Sequence, residues 1–303
     1  MSASGVLVVD KPSGPTSHDI VAQARRILGT RAVGHAGTLD PMASGVLVLL
    51  VGEATKLTNY LALDDKEYQA TIAFGRSTET CDAEGATTDE RTLPDGFPAS
   101  AALEAVLDAE RRRTEQVPPA FSAVSIGGQR AHRLARRGEA VLLPPRPVAV
   151  RALTLLECRC HGSEGPASAT LGLAVTKGYY VRSLARDIGE RLGVPAHLSC
   201  LRRTASGPYR LDRASRWPPD GVPQLLSLEA AACTALPSAE LTKAGEALAR
   251  AGSTLSASHF ESPPSGDLSV WLGAGLRLVA IGRLAEGGYR VVRGFRGDFP
   301  HEK

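Results

Sequence analysis

No apolar stretch in this chain approaches the length of a membrane span. The first five residues, Met1-Ser2-Ala3-Ser4-Gly5, have neither the basic region nor the apolar core of an export signal. Both absences predict a cytoplasmic protein. Cysteine is scarce: Cys81, Cys158, Cys160, Cys200 and Cys233 make five, an odd number, and reduced thiols are the expectation. Cys158, Cys160 and His161 have no second ligand pair at zinc-site spacing, so no metal is expected. Two cysteines on one face of a strand is the simpler reading. A charge of one sign is also missing, since 35 basic and 32 acidic residues leave a net +3, too little to name a partner. There is no internal repeat, and only residues 262–265 form a low-complexity Ser/Pro patch.

What is present suits a globular chain of 303 residues, either one large domain or one with a small satellite. The distribution of arginine says more than the net charge. Between 111 and 151 lie Arg111, Arg112, Arg113, Arg130, Arg133, Arg136, Arg137, Arg146 and Arg151, against Glu115 and Glu139 alone. A second cluster holds Arg202, Arg203, Arg210, Arg213 and Arg216. Any single run could be a solvated face. Two runs of guanidinium, whose geometry matches phosphate, point toward a phosphate-bearing partner.

The stretch Gly34-His35-Ala36-Gly37-Thr38-Leu39-Asp40-Pro41-Met42-Ala43-Ser44-Gly45 combines turn-forming residues with one imidazole and one carboxylate. The apolar run 46–51 follows at once and reads as a buried strand, a rigid mount for an aspartate. Before it, 5–10 reads as a first strand, and Ser17 is expected to cap a helix stopped at Gly29. After it come a short helix over 53–63 and an alternating strand over 67–75, with Tyr68, Ala70, Ile72 and Phe74 on one face. Residues 77–95 read as a polar surface excursion, and Ser100 as the cap of a helix over 101–111. The proline-framed segment 117–147, with a basic helix near 129–137, looks like an arm outside the core. Strands over 148–157 and 169–176 precede a helix whose Val181, Leu184, Ala185, Ile188 and Leu192 form the buried stripe, with Arg182 and Arg186 sharing another face. A basic-ended strand follows at 197–203. Residues 225–250 read as helical with a break at Pro237, and strands at 268–272, 276–284 and 288–294 as a small β unit.

Taken together, five of these stretches identify a family resemblance. Residues 34–45 resemble the signature loop of the TruB family of pseudouridine synthases, the bacterial enzymes that make pseudouridine-55 in the T-loop of tRNA. Residues 5–17 with Lys11-Pro12 and Thr16-Ser17, Asp65-Lys66-Glu67-Tyr68, Lys177-Gly178-Tyr179-Tyr180-Val181-Arg182 and Leu201-Arg202-Arg203 resemble further family motifs, in the family's order. The resemblance implies an α/β fold with a mixed, largely antiparallel sheet flanked by helices, over 1–235. It implies an RNA-gripping arm inserted at 117–147 and a small β-rich PUA-like RNA-binding domain over 240–303. It also implies roles. Asp40 is the nucleophile or essential carboxylate, Arg182 its catalytic partner, and Tyr68 the catalytic residue that stacks on the target base and can take its proton. Tyr180 and Leu201 line the base pocket, and His35 fills the space left by the flipped uridine. Against that last role, a loop histidine can instead bond its own backbone. Arg130, Arg133, Arg136, Arg137, Arg202 and Arg203 are expected to meet RNA phosphates. Relatives commonly have Tyr, Lys and Tyr where this chain has Phe121, Ser125 and His132, so the arm's contacts are expected to differ.

The implied reaction moves ribose C1′ from uracil N1 to C5 with no net gain or loss of atoms or electrons. It calls for no cofactor and no metal. A carboxylate suits it as in covalent glycoside chemistry, whether it attacks C1′, abstracts the C2′ proton or adds to the ring. Burial disfavours a charged carboxylate, and a guanidinium beside it restores that charge. Arg182 could alternatively be a helix-surface arginine paired with Asp187 or Glu190. The partner implied is the tRNA T-arm, with no membrane and no obligatory protein partner, the chain acting as a monomer. Two other functions stay open here: the catalytic subunit of a guide-RNA-dependent synthase, and a non-catalytic tRNA-binding or folding protein.

Overall fold

The computed structural model describes residues 4–62, 65–139, 141–162 and 165–295. Strand β1 (Gly5–Lys11) leads through Pro12–Pro15 into helix α1 (Ser17–Ile27). The helix cap is Thr16, not Ser17 as expected. Thr16 Oγ1 accepts the Asp19 N–H at 3.1 Å and Asp19 Oδ2 accepts the Thr16 N–H at 2.8 Å, a reciprocal capping box. The Ser17 hydroxyl is thereby free to bond elsewhere. After β2 (Val33–His35) and the loop, β3 (Ser44–Val51) carries the apolar run, and β4 (Lys66–Phe74) the alternating one. The expected helix over 53–63 is a 3-10 turn, Gly52–Leu57, running into one α-turn, Thr58–Leu61; Leu63 lies outside the described residues. Helix α2 (Ser100–Arg111) begins without a side-chain cap, so Ser100 is its first residue rather than its cap. Strands β5 (Val150–Arg159) and β6 (Ser168–Val175), helix α3 (Val181–Leu192) and strand β7 (Ala196–Ser206) complete the first unit.

These strands form one sheet in the order β5-β6-β4-β7-β3-β1, closed at the far edge by Ser215–Arg216. The β7–β3 and β1–Ser215 pairings are parallel and the rest antiparallel, so the sheet is mixed and largely antiparallel.

β3 is buried from Gly45 to Val51 because its two faces feed different cores. Leu47, Leu49 and Val51 join the cluster of Ile20 and Ala24 of α1, Leu103 and Leu107 of α2, and Leu184 and Ile188 of α3. Val46, Val48 and Leu50 point the other way, into a cluster with Leu57, Leu61, Val270, Leu278 and Ile281. That second cluster draws on α4 (Leu228–Ala235), β9 (Leu268–Leu272) and β10 (Leu278–Ala285) of the C-terminal unit, whose β8 (Ser238–Glu240), α5 (Lys243–Arg250) and β11 (Gly288–Gly294) pack around a core of their own. Its sheet runs β8-β9-β10-β11. At about 1.5–3 kcal/mol per buried aliphatic side chain, this shared core docks the small unit on the back of β3.

Segment 117–147 is anchored rather than detached. Arg146–Pro147 pairs with Glu115–Gln116 at its neck, and Val124, Ala131 and Leu143 form a small core of its own. Its helix, Ala131–Arg136, is a single short stretch within the expected basic one.

Gly45, at the junction of loop and β3, has φ +101°, and a Cβ there would lie 2.1 Å from the Arg203 carbonyl oxygen. Both the dihedral and the close approach demand glycine. Gly45→Ala is expected to lower stability by about 2–4 kcal/mol, measured by urea unfolding; a midpoint within error of the wild type would show that β3 and β7 shift apart at no cost.

Candidate active site

The loop between β2 and β3 makes few backbone bonds of its own, so its carbonyls need outside donors. Three side chains supply them. Lys11, fully buried at the end of β1, donates from Nζ to the loop carbonyls of Pro41 (3.2 Å) and Ala43 (2.7 Å), and to that of its own neighbour Pro12 (2.8 Å). Arg203 on β7, 1% exposed, donates to the carbonyls of Val46 (2.7 Å), Thr38 (3.2 Å) and Gly37 (3.1 Å). Ser17 Oγ donates to the Leu39 carbonyl at 3.0 Å and accepts the Leu39 N–H at 2.8 Å. Asp40 therefore sits between residues whose main chain is fixed on both sides.

Its carboxylate meets Arg182 in two places. Arg182 Nη2 donates to Asp40 Oδ1 at 3.1 Å, and Nε lies 2.9 Å from Oδ2. The guanidinium is 8% exposed and the carboxylate 33%, so the pair is covered on the arginine side and open on the other. Remaining donors are also engaged: Nη1 with the Thr80 carbonyl at 3.1 Å and Nη2 with the Phe121 carbonyl at 3.0 Å. The buried Asp82 carboxylate stands 3.6 Å from Nη1. A planar fork with five N–H groups can serve this many acceptors at once, and a lysine could not.

Arg182 is thus no helix-surface arginine. The surface role falls to Arg186, which pairs with Asp187 at 2.7 Å and lies 3.8 Å from Glu190. The two arginines share a side of α3, both donating to carbonyls of segment 117–147, and differ in depth: Arg182 is buried while Arg186 stays at the edge.

Tyr68 and Leu201 stand on the neighbouring strands. Tyr68 on β4 is half-buried against the cluster that contains Leu39, Ala43 and Leu201, and it faces Arg203 across the β4–β7 ladder. Arg203 in turn faces Gly45, so the sheet register ties Tyr68 to the end of the Asp40 loop. Leu201 is 5% exposed and belongs to the core. Tyr180, at the start of α3, is half-buried against the arm's small core. Burial pushes its phenol pKa up, with Ser122, Arg146 and Arg182 opposing and Asp40 adding to the rise.

His35 ends β2, its ring 5.3 Å from that of His18 in an edge-on arrangement. Burial above all lowers its pKa, with the charges of His18 and Arg203 adding to the effect. Its Nδ1 is buried with no hydrogen-bond partner among the described residues, so it does not bond its own backbone.

The expected phosphate contacts divide. Arg203 is corrected: with its guanidinium spent on three carbonyls and its surface covered, it holds the loop instead of facing RNA. Arg202 is partly exposed and pairs with Asp10 at 2.7 Å. In the arm, Arg130, Arg133 and Arg137 line one concave pocket with Gln129, and Arg136 lies beside it on the same short helix. The side chain of His132 lies outside the described residues.

Lys11, Ser17, Thr80, Asp82 and the Phe121 carbonyl belong to this site although sequence reasoning does not place them in it. Lys11 carries a signal, its place in a matched motif. Asp82 carries none, because it lies in a polar excursion without periodicity. The hairpin Arg76–Thr78/Thr87–Glu90 brings it inward, with the Thr78 hydroxyl donating to its carbonyl at 2.6 Å.

Residues 25–181 match the family model for the TruB family pseudouridylate synthase N-terminal domain. Residues 182–218 match that for the tRNA pseudouridylate synthase B C-terminal domain. The tRNA pseudouridine synthase B of Thermobifida fusca is 52% identical over 215 residues, 70% of this chain and 73% of that protein. That of Cutibacterium acnes is 44% identical over 259 residues, 84% and 85% respectively. Among solved structures, one described as an H/ACA RNP bound to a substrate RNA containing 2′-deoxyuridine superimposes with TM-score 0.70 at 25% identity. It covers 98% of this chain and 86% of that one. A Cbf5-Nop10-Gar1 complex gives TM-score 0.70 at 26% identity.

Burial lowers the Lys11 pKa from its ordinary 10.5 to about 8, against the opposing pull of Glu84 and Asp40. Between those values the unfolded chain binds more protons than the folded one, so stability gains from rising pH there. Wild-type stability relative to Lys11→Met is expected to rise from pH 8 to pH 10 in matched urea melts. A flat difference would show that Lys11 has the same proton affinity folded and unfolded, and a falling one that folding raises that affinity.

Proposed function

This chain belongs to the TruB family of pseudouridylate synthases, and from that premise we propose that it isomerises the T-loop uridine of tRNA to pseudouridine with Asp40 as the essential carboxylate. The observation that carries the reading is the two-point contact between Arg182 and Asp40 on a loop whose backbone is clamped by buried cations. Such a carboxylate is oriented before substrate arrives, which is where rate enhancement through positioning originates.

In the reaction the C1′–N1 bond breaks and a C1′–C5 bond forms, while C5 gives up a proton and N1 gains one. Asp40 has its open side toward solvent, where a ribose–base linkage could be presented. A uridine within a folded loop must first be extruded, at a cost of a few kcal/mol. Stacking on an aromatic ring returns about 1–3 kcal/mol, and Tyr68 is the residue we assign to that task. Tyr180 and Leu201 form the walls of the base pocket, and the uncharged ring of His35 occupies the space the base leaves. The substrate is the T-arm of tRNA, met in the cytoplasm by a single chain without a guide RNA or protein partner.

Two basic surfaces fit a polyanion. The arm presents Arg130, Arg133 and Arg137 around one pocket. In the C-terminal unit, which we read as a PUA-like RNA-binding domain over 240–303, Arg283 and Arg290 oppose each other across β10 and β11, both exposed. Like charges in direct register cost stability unless an anion covers them. These contacts address phosphates and shape, as is usual for folded RNA.

The deciding experiment incubates purified protein with an unmodified tRNA transcript and nothing else, then maps pseudouridine by position. Product at the T-loop uridine supports the proposal; tight binding without product would make the chain a non-catalytic tRNA-binding protein, and product only with an added guide RNA would make it a guided subunit. In the same assay Asp40→Asn is expected to lose turnover by at least about 100-fold while keeping tRNA affinity. Retained turnover would remove Asp40 from its role. Replacing Arg133, Arg136 and Arg137 by glutamine is expected to weaken tRNA binding and to reduce its log–log salt slope by about 1 for each phosphate that is no longer neutralised. An unaltered slope would mean that the arm meets no phosphate.

A further inference from the structure

One buried amide outside the site connects the neck of the arm to the helix that carries Tyr180 and Arg182. Gln116 is 2% exposed. A primary amide taken out of water is costly unless both its ends are bonded. Here its Oε1 accepts the Tyr180 N–H at 2.8 Å and its Nε2 donates to the Tyr180 carbonyl at 3.1 Å. The side chain thus reproduces the two-way exchange that a partner strand would offer. The backbone of the same residue pairs with Arg146 where the arm leaves and rejoins the body.

Tyr180 is the residue before the first turn of α3, and no side-chain cap fixes it. Gln116 instead fixes the backbone of Tyr180 itself from outside the helix. Beside it, the Val117 carbonyl accepts from Ser183 Oγ at 2.9 Å and from Arg186 Nη2 at 3.1 Å, so the neck lies along one side of α3. The start of a helix sets the direction of every side chain in its first turn, at about 100° per residue. Arg182 is two residues beyond Tyr180, and the direction of its guanidinium depends on that start.

We propose that Gln116 is a positioning residue for the reaction, aligning Tyr180 and Arg182 on Asp40 through its paired bonds to the Tyr180 backbone. Among the described residues its amide bonds only the Tyr180 backbone and makes no hydrogen bond to Asp40. The inference rests on the function proposed above.

Two variants test it under steady-state and single-turnover conditions with tRNA transcript. Gln116→Met keeps length and volume but makes neither bond. Its kcat is expected to fall about 10–100-fold, the effect of a misplacement near 1 Å, while KM and tRNA affinity stay within about twofold of wild type. Gln116→Glu keeps the acceptor, and its carboxyl donates to the Tyr180 carbonyl only when protonated. Burial raises a carboxyl pKa, so the ratio of Gln116→Glu to wild-type rate is expected to climb as pH falls from 8 to 5.5. A general loss of fold would not produce that climb.

A Gln116→Met kcat within twofold of wild type, or a loss carried by KM alone, would overturn the proposal. If Gln116→Met fails to fold, the pH profile of Gln116→Glu decides, and a flat ratio counts against it. Wild-type protein without product on any transcript would instead overturn the functional reading on which the proposal stands.

Discussion

The carbonyl oxygens of the Asp40 loop are held by cations that the fold has taken out of water, and the rest of the site depends on that arrangement. Between the ends of β2 and β3 the stretch 36–43, with Gly37 and Pro41, lies outside the sheet ladder. Left alone it would sample many conformations, at an entropic cost on ordering of about 1–2 kcal/mol per residue. Lys11 and Arg203 each bond three carbonyls, and Ser17 bonds both polar groups of Leu39. Charge-assisted bonds contribute about 1.5–3 kcal/mol apiece. An exposed pair such as Arg210 with Glu67 contributes about 0–1 kcal/mol. The buried cations outweigh every surface ion pair in fixing where Asp40 points.

β3 shows why the loop ends where it does. Its alternate residues feed separate cores, so a shift of one residue would exchange both sets at once. The register of β3 is therefore doubly specified, and Gly45 is held against the Arg203 backbone. The C-terminal unit takes part in this. By covering Val46, Val48 and Leu50 it stabilises the strand that carries the loop, in addition to the basic surface it presents.

Arg182 is where distant segments meet. Its guanidinium reaches the signature loop through Asp40, the hairpin through Thr80 and Asp82, and the arm through Phe121. The arm is consequently continuous with the chemistry. The Phe121 carbonyl of the arm is one of the acceptors that hold the Arg182 guanidinium beside Asp40.

Residue order alone specifies the strands with alternating or unbroken apolar runs, the helices with 3.6-residue stripes, and the pairing of Asp40 with Arg182 implied by the family motifs. Those features are local in pattern: periodicity is written in neighbouring residues, and motif spacing survives any folding of what lies between. Thr16 and Ser17 are both capping types, so their order does not say which one caps α1; only the geometry shows that Ser17 is needed by Leu39. Arg203 reads as a phosphate contact because burial of an arginine depends on carbonyls 157–166 positions away in the chain. Asp82 is hidden for the same reason: nothing near it in sequence names Arg182, a hundred residues on, as its partner. Which charged groups leave water is settled only in the folded chain, because that choice is made by acceptors brought together from separate strands.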